Sequence, residues 1–587
     1  MNRLPSFKRK SFRIQGARNE ALDVARGRVV LVSACFALAY ILVVARVFDL
    51  SVIQGRLYNT GEPTEIVEMT AQEQAYRGDI LDRNGVILAT SLETASLYAD
   101  PKLIIEPTET AKALARIFPD LAYGDILKSL QKDGRFVWLK RNLTPAEQYD
   151  VLQIGDPGLG FKTGRRRIYP NGDLAAHFVG YTDVDGRGLA GVERSFNTYL
   201  AAGEQPLVMT LDVRMQHILR REIVKAVENF TAKGGAGVIM DVTNGEVLAA
   251  VSYPDFDPHN LDVKNDAAMF NRLSLGTYEM GSTFKIFSTA AVLELAGAEM
   301  SDKYDAREPL QAGRFKINDY HAEKRVLTLP EVFMYSSNIG SALMGQKVGT
   351  EALQAFYRDL GLMDKITLEI DEVGRPILPA VWRDVNTLTA SYGHGIAVTP
   401  LQMVAAAASI VGDGTLVKPT LIKNNDELLT QKGHADEPVI RIVSPQTAHR
   451  MRQLMRLVVT DGTGGNADVK GYRVGGKTGT AEKNINGRYD RKKLISSFLG
   501  FFPMEAPRYA VFVMVDEPKG NKQSYGYATA GWVAAPAVGK VVESMAPMVG
   551  IEPVMSAPEE DLSASLKKYV KTEEEIKAEK AVHNASY

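Results

Sequence analysis

The feature that most restricts this chain is a run of 17 uncharged residues, Val29 to Ala45, placed between segments of opposite charge. As an α-helix that run spans roughly 25 Å, and Val47 and Phe48 extend it towards the thickness of a bilayer. Residues 1–28 carry eight basic and two acidic side chains, a net charge of +6. The whole chain, with 69 Lys+Arg against 70 Asp+Glu, sums to −1, so everything after Arg28 carries −7. A basic flank on one side of an apolar run predicts a cytoplasmic N-terminus and an exported remainder. Three rival readings fit less well. A buried core helix does not explain the lopsided basic flank. A cleaved signal peptide would use Ala37-Leu38-Ala39, yet the apolar run continues past that site. A lipoprotein signal ending at Cys35 would have too short an apolar stretch before it. The expectation is therefore a basic cytoplasmic tail (1–28), a transmembrane helix (29–49), and an exported part anchored by it in the membrane.

The chain has 587 residues, which allows roughly three to five domains. With 45% hydrophobic and 24% charged residues it is an ordinary globular composition, which excludes wholesale disorder. The near-zero net charge argues against a chain that coats nucleic acid. A single cysteine excludes an intrachain disulfide and any multi-cysteine metal site. Because that residue, Cys35, falls in the apolar run, the exported part has no thiol, and packing must stabilise it.

Residues 50–205 show short apolar runs broken by turn signals such as Asp82-Arg83-Asn84-Gly85 and Asn171-Gly172, the pattern of an irregular α+β module. Arg165-Arg166-Arg167 within it reads as a solvated or ion-paired surface run. From about Pro206 the texture changes. Gly237–Val242 and Glu246–Val251 read as two strands around an Asn-Gly turn. A helical period covers Thr283–Ala296, with Gly297 as its stop. Further strands are expected at Tyr472–Ala481, Ile495–Phe502 and Tyr509–Val515, and a terminal helix from Ala528 to about Met548. Strands at both ends with helices between them predict an α+β domain (206–550) whose antiparallel sheet is flanked by helices. The charged tail, 551–587, reads as a solvated helix or disordered chain.

Three patterns carry the chemistry: Ser282-Thr283-Phe284-Lys285, Ser336-Ser337-Asn338 and Lys477-Thr478-Gly479-Thr480. Together they form a serine/lysine acyl-transfer set. None is specific alone, since Ser-x-x-Lys recurs at Ser129/Lys132 and Ser565/Lys568, and Lys-Thr-Gly at Lys162-Thr163-Gly164. Taken singly, Ser282 also reads as a helix cap, Ser336–Asn338 as a turn and Lys477–Gly479 as a hairpin. Only the first set runs in the order nucleophile, relay, strand on suitable elements. Ser282 and Lys285, three apart, share one face at a helix start, beside backbone N–H groups suited to an oxyanion. The eight histidines contain no His-x-x-x-His pair, and no Gly-x-Ser-x-Gly elbow occurs. A serine activated by a lysine, with no metal and no cofactor, is what remains.

With these motifs the chain resembles the class B penicillin-binding proteins, membrane-anchored peptidoglycan D,D-transpeptidases. Arg77–Gly85, Gly188–Glu193 and Thr210-Leu211-Asp212 are similar to the family's pedestal and junction motifs. Tyr98–Lys102 and Ala176–Thr182 are similar to its division-specific type. Met280 stands where the family commonly has proline. The resemblance implies a pedestal, or dimerisation-like, module (50–205) and a penicillin-binding domain (206–550). It implies Ser282 as nucleophile, Lys285 as its base and Ser336 as proton relay. Asn338 would hold the donor peptide amide, and Lys477 the substrate carboxylate. Thr478, Gly479 and Thr480 would line the substrate, with the N–H groups of Ser282 and Thr480 as oxyanion hole. The implied substrates are peptidoglycan stem peptides, with β-lactams as inhibitors. The implied partners are a membrane glycosyltransferase of the shape, elongation, division and sporulation group and other division proteins. An elongation-type transpeptidase, a D,D-carboxypeptidase, a membrane-anchored β-lactam sensor and a division scaffold remain as alternatives; the pedestal and the absence of a cytoplasmic signalling domain weigh against the sensor.

Overall fold

Tyr509–Asp516 shows how the larger domain is built. Val511, Val513 and Val515 pack into one buried cluster, while Ala510, Phe512 and Met514 pack into another on the opposite face. This period of two is that of a strand with both faces covered, so the run is apolar throughout. The computed structural model describes residues 34–44, 76–262, 264–313, 315–423, 439–485, 488–555 and 560–577.

The strand belongs to a five-stranded sheet. In chain order its members are β6 (Gly234–Asp241), β7 (Val247–Tyr253), β12 (Gly475–Ile485), β13 (Arg488–Phe502) and β14 (Tyr509–Asp516), in spatial order β12-β13-β14-β6-β7. All neighbours are antiparallel, as the sequence pattern predicts. The helices Val213–Asn229 and Ala530–Met545 cover one face through Leu219, Ile223, Val538 and Val541. The helices Lys285–Leu295, Pro400–Val411 and Pro445–Thr460 lie in the cluster on the other face. Strand β12 is an edge, and it is the strand that carries Lys477.

The smaller module is organised by a hairpin. β1 (Ile80–Leu81) pairs antiparallel with β2 (Ile87–Ala99) and parallel with β5 (Leu207–Val208). The Asp82 carboxylate makes the turn by accepting from the N–H groups of Asn84 (2.7 Å) and Val86 (2.9 Å). β2 also pairs with β3 (Val137–Leu143) and with β4 (Leu159–Ile168). Three helices, Pro107–Ile117, Tyr123–Leu130 and Pro145–Leu152, close a separate core over the far end of β2. Four short strands, β8 (Lys303–Asp305), β9 (Leu310–Ala312), β10 (Phe315–Ile317) and β11 (Val326–Thr328), form two small ribbons.

The structure corrects the sequence reading at two places. Arg167 is not a surface residue: it is 3% exposed and its Nε lies 2.7 Å from the fully buried Glu193 carboxylate. Arg77 donates to the same carboxylate (Nε, 2.7 Å), so two guanidiniums from distant segments converge on one anion. The tail is ordered where described. Asp561 pairs with Arg456 (2.8 Å), Leu566 is buried, and the Lys571 N–H donates to Glu331 (2.9 Å). Those interactions tie Glu560–Lys577 to the catalytic domain, where composition alone predicts solvated chain. Within the expected membrane segment, residues 34–44 form a helix with exposed side chains. No helix among the described residues is long and apolar enough to cross a membrane. The rest of that segment, the basic tail and residues 50–75 lie outside the described residues.

The Glu193 cluster generates a prediction. Glu193→Ala leaves Arg77 and Arg167 buried without their anion, which costs about 3–5 kcal/mol. Denaturant unfolding followed by intrinsic fluorescence should show that loss.

Candidate active site

Ser282 lies in a 3-10 turn, Gly281–Phe284, that leads directly into the Lys285–Leu295 helix. The turn is held by the Thr283 hydroxyl donating to the Met280 carbonyl (2.8 Å). Met280 is buried with φ −84°, within a few degrees of the range proline imposes, so the turn forms without proline. From the other side it is pressed by the Tyr392–Gly395 segment. Gly393, at φ +86°, lies so close that a Cβ there would stand 2.1 Å from the Gly281 carbonyl oxygen. Only glycine fits that position.

The three sequence motifs converge on one amine. Lys285 Nζ lies 3.0 Å from Ser282 Oγ, 3.1 Å from Ser336 Oγ, 2.5 Å from the Ser336 carbonyl oxygen and 2.8 Å from Asn338 Oδ1. The Asn338 amide is oriented by its Nδ2, which donates to the Asn318 carbonyl (3.0 Å), so Oδ1 faces the lysine. Two of the four neighbours, the carbonyl and the amide oxygen, are acceptors only. A neutral Lys285 satisfies them with its two hydrogens, and its lone pair is then left for a hydroxyl. Ser282 and Ser336 are the hydroxyls in reach.

Lys477 approaches from β12. Its Nζ lies 2.9 Å from Ser336 Oγ, so this hydroxyl sits between two amines. Both lysines are 0% exposed. Burial holds Lys285 well below the usual lysine range, the nearby Lys477 charge adds to the effect, and Asp319 opposes it. Burial alone pulls Lys477 down to about 7. The pair resists carrying two charges at once.

Ser336 is bent into place. Its φ of +59° is a left-handed conformation uncommon for a non-glycine residue. What holds it there is the start of the Asn338–Val348 helix, where Ser337 Oγ accepts from the Gly340 N–H (2.9 Å). Asp319 clamps the same start, accepting from the N–H groups of Asn338 (2.6 Å) and Ile339 (2.9 Å) and from the Ser337 hydroxyl (2.8 Å). Sequence reasoning missed Asp319, because a lone aspartate in a loop follows no spacing rule.

Of the expected substrate contacts, Thr478 Oγ1 is within 2.7 Å of Thr463 Oγ1. Thr480 Oγ1 accepts from the Ala530 N–H (3.1 Å), at the start of the Ala530–Met545 helix. A Cβ at Gly479 would stand 2.8 Å from the Met280 carbonyl, so glycine lets β12 close onto the nucleophile turn. The look-alike motifs stay apart: Ser129 lies on a pedestal helix, Lys162-Thr163-Gly164 in β4, and Ser565 accepts from Gln453 (2.9 Å). Beside the site, Glu279 accepts from the Gly395 N–H and the Tyr489 hydroxyl (both 3.1 Å), and Tyr489 stacks on His394. Burial keeps His394 neutral, at about 4, and raises the Glu279 carboxyl. Among the described residues no group of His, Cys, Asp and Glu could hold a metal ion.

A serine beside a desolvated amine, with a second amine behind a relay hydroxyl, is equipped for acyl transfer. Lys477→Met removes a positive neighbour, so the Lys285 pKa should climb towards its ordinary value. The acidic limb of the pH profile for penicillin acylation then moves to higher pH, measured by stopped-flow labelling.

Comparisons with known proteins agree with the geometry. The family model of the penicillin binding protein transpeptidase domain matches residues 235–540, and that of the penicillin-binding protein dimerisation domain matches 72–212. The probable peptidoglycan D,D-transpeptidase FtsI of Caulobacter vibrioides is 40% identical, over 81% of this chain and 82% of that protein. Peptidoglycan D,D-transpeptidase FtsI of Escherichia coli K12 is 30% identical, over 90% of this chain and 92% of that protein. Among solved structures, penicillin binding protein 3 of Mycobacterium tuberculosis, complexed with aztreonam, aligns with TM-score 0.64 and 26% identity, covering 82% of this chain and 98% of that one.

Proposed function

This chain belongs to the class B penicillin-binding proteins, and we infer from that membership and from the Ser282 site that it is a peptidoglycan D,D-transpeptidase of cell division. The observation that carries the residue roles is Lys285 Nζ, buried 3.0 Å from Ser282 Oγ with its two hydrogens committed elsewhere.

In this reading Ser282 Oγ attacks the penultimate D-Ala carbonyl of a donor stem peptide and passes its proton to the Lys285 lone pair. A lysine at its usual pKa near 10.4 could not accept that proton at neutral pH, and burial removes the obstacle. The oxyanion is received by the N–H groups of Ser282 and Thr480, which the proximity of Gly281 to the Thr480 carbonyl supports. The C–N bond then breaks, and the D-Ala amine takes a proton from Lys285 through Ser336 Oγ, which lies within 3.1 Å of both lysines. Asn338 holds the donor peptide amide.

The donor's terminal carboxylate is placed near Lys477 and Thr478. There it supplies the anion that a buried ammonium lacks, and so holds Lys477 protonated. Substrate binding thus sharpens the division of labour, with one lysine charged and the other basic. Strand β12, as a sheet edge, offers unpaired backbone groups to an extended peptide. In the second half-reaction an amine from a neighbouring stem attacks the ester, loses its proton to Lys285, and releases Ser282 with its hydroxyl restored. β-Lactams acylate Ser282 in the same way as the donor. An anchor at 29–49 places this chemistry on the outer side of the inner membrane, with glycosyltransferase and division partners beside it.

Two outcomes are expected. A fluorescent penicillin labels the wild type, Ser129→Ala and Ser565→Ala but not Ser282→Ala, and Lys285→Ala slows labelling by ~10²–10⁴-fold. A periplasm-sensitive reporter fused after residue 60 is active, and an inactive one would overturn the topology.

A further inference from the structure

Far from Ser282, the pedestal holds a second concave site. A cavity of ≈ 490 Å³ opens where β2 ends against β4, and its walls include Tyr98, Asp100, Arg135, Phe136, Gly160 and Lys162. Tyr98 lies eleven positions along β2 from Ile87, about 36 Å along the strand. Ile87 follows the hairpin whose Asp82 and Asn84 bond the Asp212–Val213 start of the catalytic domain (3.2 and 3.0 Å).

The wall is aromatic in an uncommon way. Tyr98 lies across the backbone of its cross-strand partner Gly160, where a Cβ would stand 2.5 Å from the ring. Phe136 stacks on Tyr98 at 5.0 Å and 27°, and Trp138 backs Phe136 edge-on at 4.9 Å. Despite this packing, Phe136 remains 52% exposed. Beside it the Asp100 carboxylate is fixed by the Lys102 N–H and by Arg135 Nε, both at 3.1 Å. Lys162 is exposed at the same rim and has no partner among the described residues.

An apolar tail would need a deep apolar slot, and a cation would need a cluster of acids; neither is here. A rigid aromatic face beside a planar carboxylate–guanidinium pair suits a sugar ring, whose C–H face covers an aromatic side chain while its hydroxyls meet the fork. We propose that this cleft binds the N-acetylhexosamine backbone of a peptidoglycan glycan strand and so holds the polymer on the pedestal while Ser282 works on its peptides. The proposal rests on the reading of the chain as a peptidoglycan transpeptidase, but its test does not use that reaction.

The test is calorimetric titration of the full-length protein in detergent with the β-1,4-linked hexamer of N-acetylglucosamine. Saturable binding by the wild type is expected, weakened about tenfold or more in Phe136→Ala and Arg135→Ala, a loss of at least ~1.4 kcal/mol. Both side chains are exposed, so fluorescent-penicillin labelling of Ser282 should stay at the wild-type level. Absence of saturable binding, or equal binding by the two variants, overturns the proposal. Displacement of the hexamer by a sugar-free stem pentapeptide also overturns it, by assigning the cleft to peptide. Loss of penicillin labelling in the wild type would instead sink the transpeptidase reading and leave the cleft result standing.

Discussion

Two lysine amines held out of water around one serine hydroxyl are the constraint on which the rest of this structure depends. An ammonium is costly to bury, and two together are worse. The fold therefore gives Lys285 two acceptor-only oxygens, and gives Lys477 two hydroxyls, a carbonyl and the face of the Phe333 ring, with no carboxylate in contact among the described residues. That asymmetry is chemical. The amine whose hydrogens are already engaged has a lone pair to offer, and the amine without an anion is ready to receive one.

Each wall of the site is stabilised from behind by a polar group that takes no part in the reaction. Asp319 clamps the helix start that bends Ser336 to φ +59°. Arg456 donates to the Val474 carbonyl (2.7 Å), just before β12, and pairs with Asp468 and with Asp561 of the C-terminal segment. Glu331 caps the helix leading to Ser336 and accepts from Lys571. The C-terminal segment thus meets both walls, Ser336's and Lys477's. The pedestal shows the same logic at larger scale: one buried carboxylate, Glu193, ties Arg77 before the first strand to Arg167 at the end of the fourth.

Much of this was legible in the chain. The apolar run Tyr509–Val515, the Asn-Gly turn at 244–245 and the helical period after Ser282 are local patterns, and the elements stand where those patterns put them. Arg167 and the tail were misread for a common reason. A charged residue announces solvent unless its counter-ion is known, and Glu193 and Arg456 are 26 and 105 residues away from Arg167 and Asp561. Asp319, Glu279 and His394 escaped notice because they act by position. No spacing rule links them to the motifs they touch.

The sequence by itself determined the order of the three motifs, the i, i+3 pairing of Ser282 with Lys285 and the strand character of Lys477-Thr478-Gly479-Thr480, since these follow from periodicity over a few residues. Only the tertiary structure decided that Ser336, 51 residues from Lys285 and 141 from Lys477, lies between their amines. It alone decided that both amines are desolvated. A lysine's basicity is set by the water it has lost and the charges it faces, and those belong to the packed fold.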